Sequence, residues 1–210
     1  MNLKRLIRLF LIAGLGATAI SSESSARPNF IIIFTDDQGY QDLGCYGSPD
    51  IKTHLDRMAA GGMRFTSFYA QTVCGPSRAA LMTGCYPLRV ARQADPDSIH
   101  PELHLNEITI AEVLKGRGYA TGAFGKWDLA GHNPARYKTE LLPPYQGFDT
   151  YFGTPGSNDN YVKLIRGTKE IESRADMSTL TKRYTDEAIS FIEENAANPF
   201  FVYLAHTMPH

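Results

Sequence analysis

Phe30-Ile31-Ile32-Ile33-Phe34-Thr35-Asp36-Asp37-Gln38-Gly39 is the stretch whose reading decides the fold. Five consecutive apolar residues, three of them β-branched, show neither a helical stripe nor the alternation of a half-buried strand. They fit a central parallel strand covered on both faces. In open α/β sheets ligands gather beyond the carboxyl ends of such strands. Adjacent carboxylates at that end repel each other unless a cation compensates them, so Asp36 and Asp37 are placed to hold a hard metal ion through oxygen. An Asp-Asp pair also makes a solvated turn or an N-cap, and the dipeptide alone leaves both readings open.

Two further strand signals repeat the pattern. Thr109-Ile110-Ala111-Glu112 is a capping box that predicts a helix through Arg117, stopped by Gly118. A strand from Tyr119 to Phe124 follows it and delivers Gly125-Lys126-Trp127-Asp128-Leu129 to the ligand edge, where a lysine can meet an anion as a point charge. Leu180 to Asn195 is amphipathic, with Leu180, Tyr184, Ala188, Phe191 and Ile192 on one face. Phe200 to Ala205 then reads as another buried strand, ending in His206-Thr207-Met208-Pro209-His210.

Between these elements, Thr53 to Ala60 predicts a short helix with Leu55, Met58 and Ala59 inward and a Gly61-Gly62 stop. Met63 to Tyr69 predicts a strand, Arg89 to Leu105 a surface loop with solvated His100 and His104, and Tyr161 to Asp176 an exposed hairpin. Strands alternating with helices give an α/β domain with a largely parallel sheet flanked by helices.

Thr72-Val73-Cys74-Gly75-Pro76-Ser77-Arg78-Ala79-Ala80-Leu81-Met82-Thr83-Gly84 places a cysteine at the start of a helix. Pro76 suits the first turn, the alanines with Leu81 and Met82 favour helix, and Gly84 suits C′. A helix N-terminus offers unpaired N–H groups to an anion, and Arg78 adds a charged fork.

The run Cys74-Gly75-Pro76-Ser77-Arg78 resembles the C-x-P-S-R signature of the type I sulfatases, in which the cysteine is oxidised enzymatically to formylglycine. The resemblance implies that the aldehyde hydrate at Cys74 attacks sulfur with one hydroxyl and expels sulfate through the second. Gly118-Tyr119 followed by Gly125-Lys126-Trp127-Asp128-Leu129 resembles the second sulfatase signature, which implies an anion-binding role for Lys126. Asp128 stands where that family usually has His, so either Asp128 serves as the base or nearby His132 supplies the imidazole. The same resemblance implies metal binding by Asp36, Asp37 and the modified Cys74, substrate contact by Ser157, and sulfate contact by His210 with His206 in reserve.

The implied fold is the alkaline-phosphatase-like sandwich, with residues 27–210 as the N-terminal portion of the catalytic domain. The implied activity is hydrolysis of a sulfate monoester on a sulfated small molecule or glycan. Calcium or magnesium would be the cofactor, Arg78, Lys126 and His210 would stabilise developing charge, and a formylglycine-generating maturation enzyme would be a partner. Family members carry further metal ligands downstream. Two rival readings are a phosphonate or phosphodiester hydrolase of the same superfamily and a non-catalytic binder of sulfated glycans.

The 210 residues are 43% hydrophobic and 20% charged with a net charge of -1, which allows one sizeable domain and gives no basic footprint for nucleic acid. Lys4, Arg5 and Arg8 precede an apolar run from Leu9 to Ile20, with small residues Ser24-Ser25-Ala26 after it. This reads as a signal peptide over residues 1–26, cleaved near Ala26, and too short for a stable membrane span. The expected location is secreted or periplasmic. With Cys74 modified, Cys45 and Cys85 either pair or stay free.

Overall fold

The computed structural model describes residues 27–93 and 101–210, so the signal peptide over 1–26 and His100 lie outside the described residues. In chain order the principal elements are β1 (Phe30–Asp36), α1 (His54–Gly61), α2 (Cys74–Thr83), α3 (Pro87–Val90), β2 (Ala91–Gln93), β3 (Pro101–Leu103) and α4 (Ile110–Lys115). There follow β4 (Ala120–Lys126), β5 (Thr150–Thr154), β6 (Val162–Arg166), β7 (Lys169–Ala175), α5 (Leu180–Glu194) and β8 (Phe200–Pro209).

Six strands form one sheet in the order β1-β8-β4-β5-β6-β7. The first four run parallel, with Ile32 opposite Tyr203 and Phe124 opposite both Leu204 and Phe152, and β6 and β7 are antiparallel. Helices and loops cover the sheet. On one side Met82, Trp127, Phe148, Phe201 and Tyr203 pack into one core, and on the other Phe124, Phe152, Val202 and Leu204 pack against Leu180, Tyr184, Ala188 and Phe191 of α5. The mostly parallel α/β sheet read from the sequence is therefore present, and α5 buries the face expected of it.

Five local expectations need correction. Among the described residues β1 is at the sheet edge, not its centre: Ile32 and Phe34 pack inward, whereas Ile31 and Ile33 are about half exposed, at 50% and 49%. The centre belongs to β8 and β4. Met58 of α1 faces outward, because the helix rides on the surface with only Leu55, Asp56 and Ala59 partly buried. Residues 63–69 form no strand, and Phe65, Phe68 and Tyr69 are exposed, since alternation without a neighbouring strand leaves the ladder unmade. The 89–105 stretch contains the end of α3 and the antiparallel pair β2–β3, in which Glu102 and Leu103 are buried.

The hairpin at 161–176 is present, but β6 is core, with Val162, Leu164 and Ile165 fully buried. The capping box at Thr109 forms as read: its hydroxyl accepts from Glu112 N at 3.1 Å, and Glu112 returns a bond to Thr109 N at 2.7 Å. Cys45, Cys74 and Cys85 are all free. Among the described residues no helix is long and apolar enough to cross a membrane.

Candidate active site

The carboxyl ends of β1, β4, β5 and β8 lie along one edge of the sheet, and the chemistry-bearing residues sit there. Cys74 is the first residue of α2, after an extended Val73. Ser77 fixes this junction, donating to Val73 O at 2.8 Å and accepting from Gln71 N at 3.0 Å. At the other end Gly84 takes the left-handed conformation at φ 68° and closes the helix onto Ala80 O. Asp36, Asp37, Cys74 and Ser77 line one cavity of about 330 Å³, so the tandem acids and the cysteine share a single space.

Asp36 is buried and doubly compensated: Lys126 Nζ lies 2.7 Å from Oδ2, and Arg78 Nη2 lies 3.5 Å from Oδ1. Burying one carboxylate in this way requires such partners, since an uncompensated buried charge costs several kcal/mol. Arg78 is fully buried over the Phe34 ring, and its Nη1 donates to Lys126 O at 2.7 Å and Tyr203 Oη at 3.1 Å. Lys126 also donates to Asn158 Oδ1 at 3.1 Å, which leaves one of its three ammonium N–H groups without a protein acceptor. β4 can bring Lys126 here because Gly125, at φ 115°, lets it pass β8: a Cβ at Gly125 would meet Ala205 O at 1.8 Å.

Asp128 is fully buried and, like Asp37, holds a left-handed backbone, at φ 55° and 57° respectively. Such conformations are strained for residues with a side chain and concentrate at functional sites. Asp128 Oδ1 pairs with His132 Nδ1 at 2.9 Å, while Oδ2 has no hydrogen-bond partner. Sγ of Cys74, a carboxylate oxygen of Asp128 and a ring nitrogen of His132 lie within 4.8 Å of one another. Burial pushes the Cys74 thiol up to about 12, with the Asp128 charge adding to it. Burial works to raise Asp128 as well, but the His132 hydrogen bond and the Lys126 charge outweigh it and hold the carboxyl below its ordinary range. Burial works to lower His132, and Asp128 and Asp159 reverse that, so its pKa is raised.

His210 closes the β1 side. Its backbone N–H donates to Asp36 O at 3.1 Å, its Nδ1 lies 2.9 Å from Asp37 Oδ2 and 3.6 Å from Asp36 Oδ2, and its Nε2 lies 2.9 Å from Asp159 Oδ1. His206 stays inside β8, where burial lowers its pKa and Nδ1 has no partner. Ser157 is buried, and its hydroxyl is used within its own turn, accepting from Asp159 N at 3.0 Å.

A profile of the Sulfatase family matches residues 28–210. The chain belongs to the sulfatase family. It is 46% identical to human arylsulfatase A over 76% of this chain and 30% of that protein. It is 38% identical to N-acetylgalactosamine-6-sulfatase of Sus scrofa over 98% of this chain and 43% of that protein. Among solved structures, Ps i-CgsB in complex with k-i-k-neocarrahexaose superposes with a TM-score of 0.73 at 32% identity, covering 88% of this chain and 46% of that one. A structure bound to its substrate D-glucosamine-2-N,6-O-disulfate gives 0.69 at 30%, covering 88% and 35%. The chain thus spans less than half the length of each of these relatives.

Of the sulfatase residues expected from sequence, Asp36, Asp37, Lys126 and His210 meet at one end of the site, and Cys74, Asp128 and His132 at the other, with Arg78 buried behind Asp36. Sequence reasoning missed Asn158, Asp159 and Tyr203. Asn158 and Asp159 lie in a Gly156-Ser157-Asn158-Asp159 run whose composition fits a plain turn, although its place just past β5, on the same sheet edge, was the available signal. Asn158 is buried, bridging Lys126 Nζ and Thr207 O.

Asp36 and Asp37 supply hard carboxylate oxygens in one cavity with residue 74, a donor set that suits calcium or magnesium. The Cys74 sulfur does not suit such an ion, whereas an oxygen at that position would. Asp128 Oδ2, buried without a partner beside Cys74, is likewise an acceptor that a hydroxyl at residue 74 would satisfy.

Proposed function

We infer that this sulfatase-family protein hydrolyses a sulfate monoester, using a formylglycine formed from Cys74 and a divalent cation held by Asp36 and Asp37. The observation that supports this most is the shared cavity of the tandem acids and Cys74, flanked by the buried Lys126 ammonium. The encoded thiol, pushed up to about 12, stays protonated near neutrality and is a poor nucleophile, which favours its conversion. Formylglycine hydrate supplies an attacking hydroxyl and a second oxygen for release, and the cation neutralises sulfate charge.

The chain's own residues divide the remaining work. Asp128 accepts the proton of the residue-74 hydroxyl on Oδ2, and His132 holds the carboxylate in place through Oδ1. Lys126 offers its remaining N–H to a sulfate oxygen, and His210 stands beside it. Arg78 fixes Asp36 and the Lys126 carbonyl from behind, whereas losing the Lys126 donor to the sulfate would raise the barrier by about 3 kcal/mol. The Asp128–His132 pair restores an imidazole to a site whose usual His is replaced, which favours catalysis over the binding-only reading. Residues 1–26 direct export, and a maturation enzyme performs the oxidation.

Mass spectrometry of the peptide spanning Cys74, produced with a working maturase, should show a loss of about 18 Da. An unmodified thiol would overturn the mechanism. Turnover of sulfate and phosphate esters of one aryl group separates this reading from the phosphonate or phosphodiester alternative: the sulfate should be cleaved faster.

A further inference from the structure

One carboxylate outside the expected site touches both imidazoles in it. Asp159 Oδ2 lies 3.1 Å from His132 Nε2, and Asp159 Oδ1 lies 2.9 Å from His210 Nε2. The far nitrogens of the two rings face Asp128 at 2.9 Å and Asp37 at 2.9 Å. A continuous series therefore runs Asp128–His132–Asp159–His210–Asp37, from beside the Cys74 thiol to the tandem acids. We propose that Asp159 is a positioning residue that ties the two imidazoles of the site together, one carboxylate oxygen on each.

The loop that carries Asp159 is fixed where such a tie needs it. Asp159 N donates to Ser157 Oγ at 3.0 Å, and Ser157 N donates to His132 O at 2.7 Å, so the turn is bonded to the backbone of the very histidine it orients. The preceding Asn158 is buried, with its amide spent on Lys126 and Thr207. Asp159 thus moves with Lys126 and His132.

An imidazole bonded through one nitrogen can still swing about its outer torsion, which is broad. Carboxylates on both nitrogens fix the ring plane and the protons it carries, as supporting carboxylates do for metal-bound histidines. His132 and His210 each have that arrangement, and Asp159 is the residue common to both. Because its side chain is 43% exposed, its ion pairs add little to folding stability, and its removal acts on geometry.

This inference depends on the sulfatase reading, and two measurements on the same variants separate them. The first is heteronuclear NMR of the histidine ring nitrogens. Asp159→Ala should shift the His132 and His210 signals together, and Asp159→Asn, which keeps one acceptor oxygen, should shift mainly one of them.

The second is turnover of para-nitrophenyl sulfate. Asp159→Ala should lower kcat about 10- to 100-fold, the scale of a small misplacement of reacting groups. KM should stay within about threefold and the melting temperature close to that of the parent. In a background lacking both imidazoles, His132→Ala with His210→Ala, the same change should cost less than about threefold, because a positioning residue has no effect once the groups it positions are gone. Equal losses in the two backgrounds, or ring signals unmoved by Asp159→Ala in an active enzyme, would overturn the tie. Ring signals that respond in a mature protein releasing no sulfate would overturn the sulfatase reading and leave the tie standing.

Discussion

At the carboxyl end of β1, Asp36 is neutralised by two buried cations while its neighbour Asp37 stands 67% exposed. At the carboxyl end of β4, Asp128 is fully buried, with an imidazole on one oxygen and the Cys74 side chain beside it. Both ends hold a carboxylate beside a histidine, and both turn through a left-handed aspartate. What separates them is the unspent capacity. The β1 end keeps the exposed Asp37 carboxylate, which His210 engages through one oxygen, for a cation, and the β4 end keeps a single buried acceptor for a proton. The same residue types serve two tasks because burial and partners differ, as in carboxylate pairs elsewhere.

Cys74→Ala should break the comparison altogether, since residue 74 is the group both ends serve. Its turnover of an aryl sulfate should fall on the order of 10⁴-fold or more while the melting temperature changes little, because alanine suits the first turn of α2. Asp128→Asn should impair the β4 end alone, lowering kcat about 10²- to 10⁴-fold without changing calcium affinity in a calorimetric titration. Lys126→Met should harm the β1 end through stability, since it leaves Asp36 with only the longer Arg78 and His210 contacts. Urea denaturation should report a loss of about 3 kcal/mol. Asp37→Asn, at an exposed position, should weaken calcium binding about tenfold and leave the urea midpoint unchanged.

The smallest effect concerns pH. His132 has a raised pKa, so its protonated form contributes stability that is fully present below its ordinary 6.5 and is lost as pH rises through the higher folded value. Asp159, against which burial works, is held down to about 2 by Ser157, His210 and His132, so its contribution is present above 3.8 and lost as pH falls through that lower value. Melting curves of the parent and His132→Gln should therefore converge above neutrality. A constant gap up to pH 9 would show that His132 packs there uncharged.

Much of this arrangement was legible in the letters. Asp36 and Lys126 each follow an apolar run, and the rule that ligands collect past parallel strand ends pointed to both, whereas His210 was assigned only through the resemblance to the sulfatases. Cys74 and Arg78 were legible from the helix start. The reading of β1 as central differed because an unbroken apolar run does not say whether a second layer covers its outer face, and among the described residues Ile31 and Ile33 have none. Residues 63–69 alternate like a strand but meet no partner, and pairing is a tertiary fact. Asp159 and Asn158 were illegible for the same reason: Gly, Ser, Asn and Asp make a turn in any setting, and only the folded chain reveals that this turn meets His132, His210 and Lys126.

Asp37 and Asp128 both occupy a backbone region that costs a residue with a Cβ about 1 kcal/mol and costs glycine nothing. A chain shaped for durability alone would carry glycine at each of these bends. That acids stand there instead marks two places where the protein is built against its own ease of folding, and a search for sturdier variants should leave both untouched.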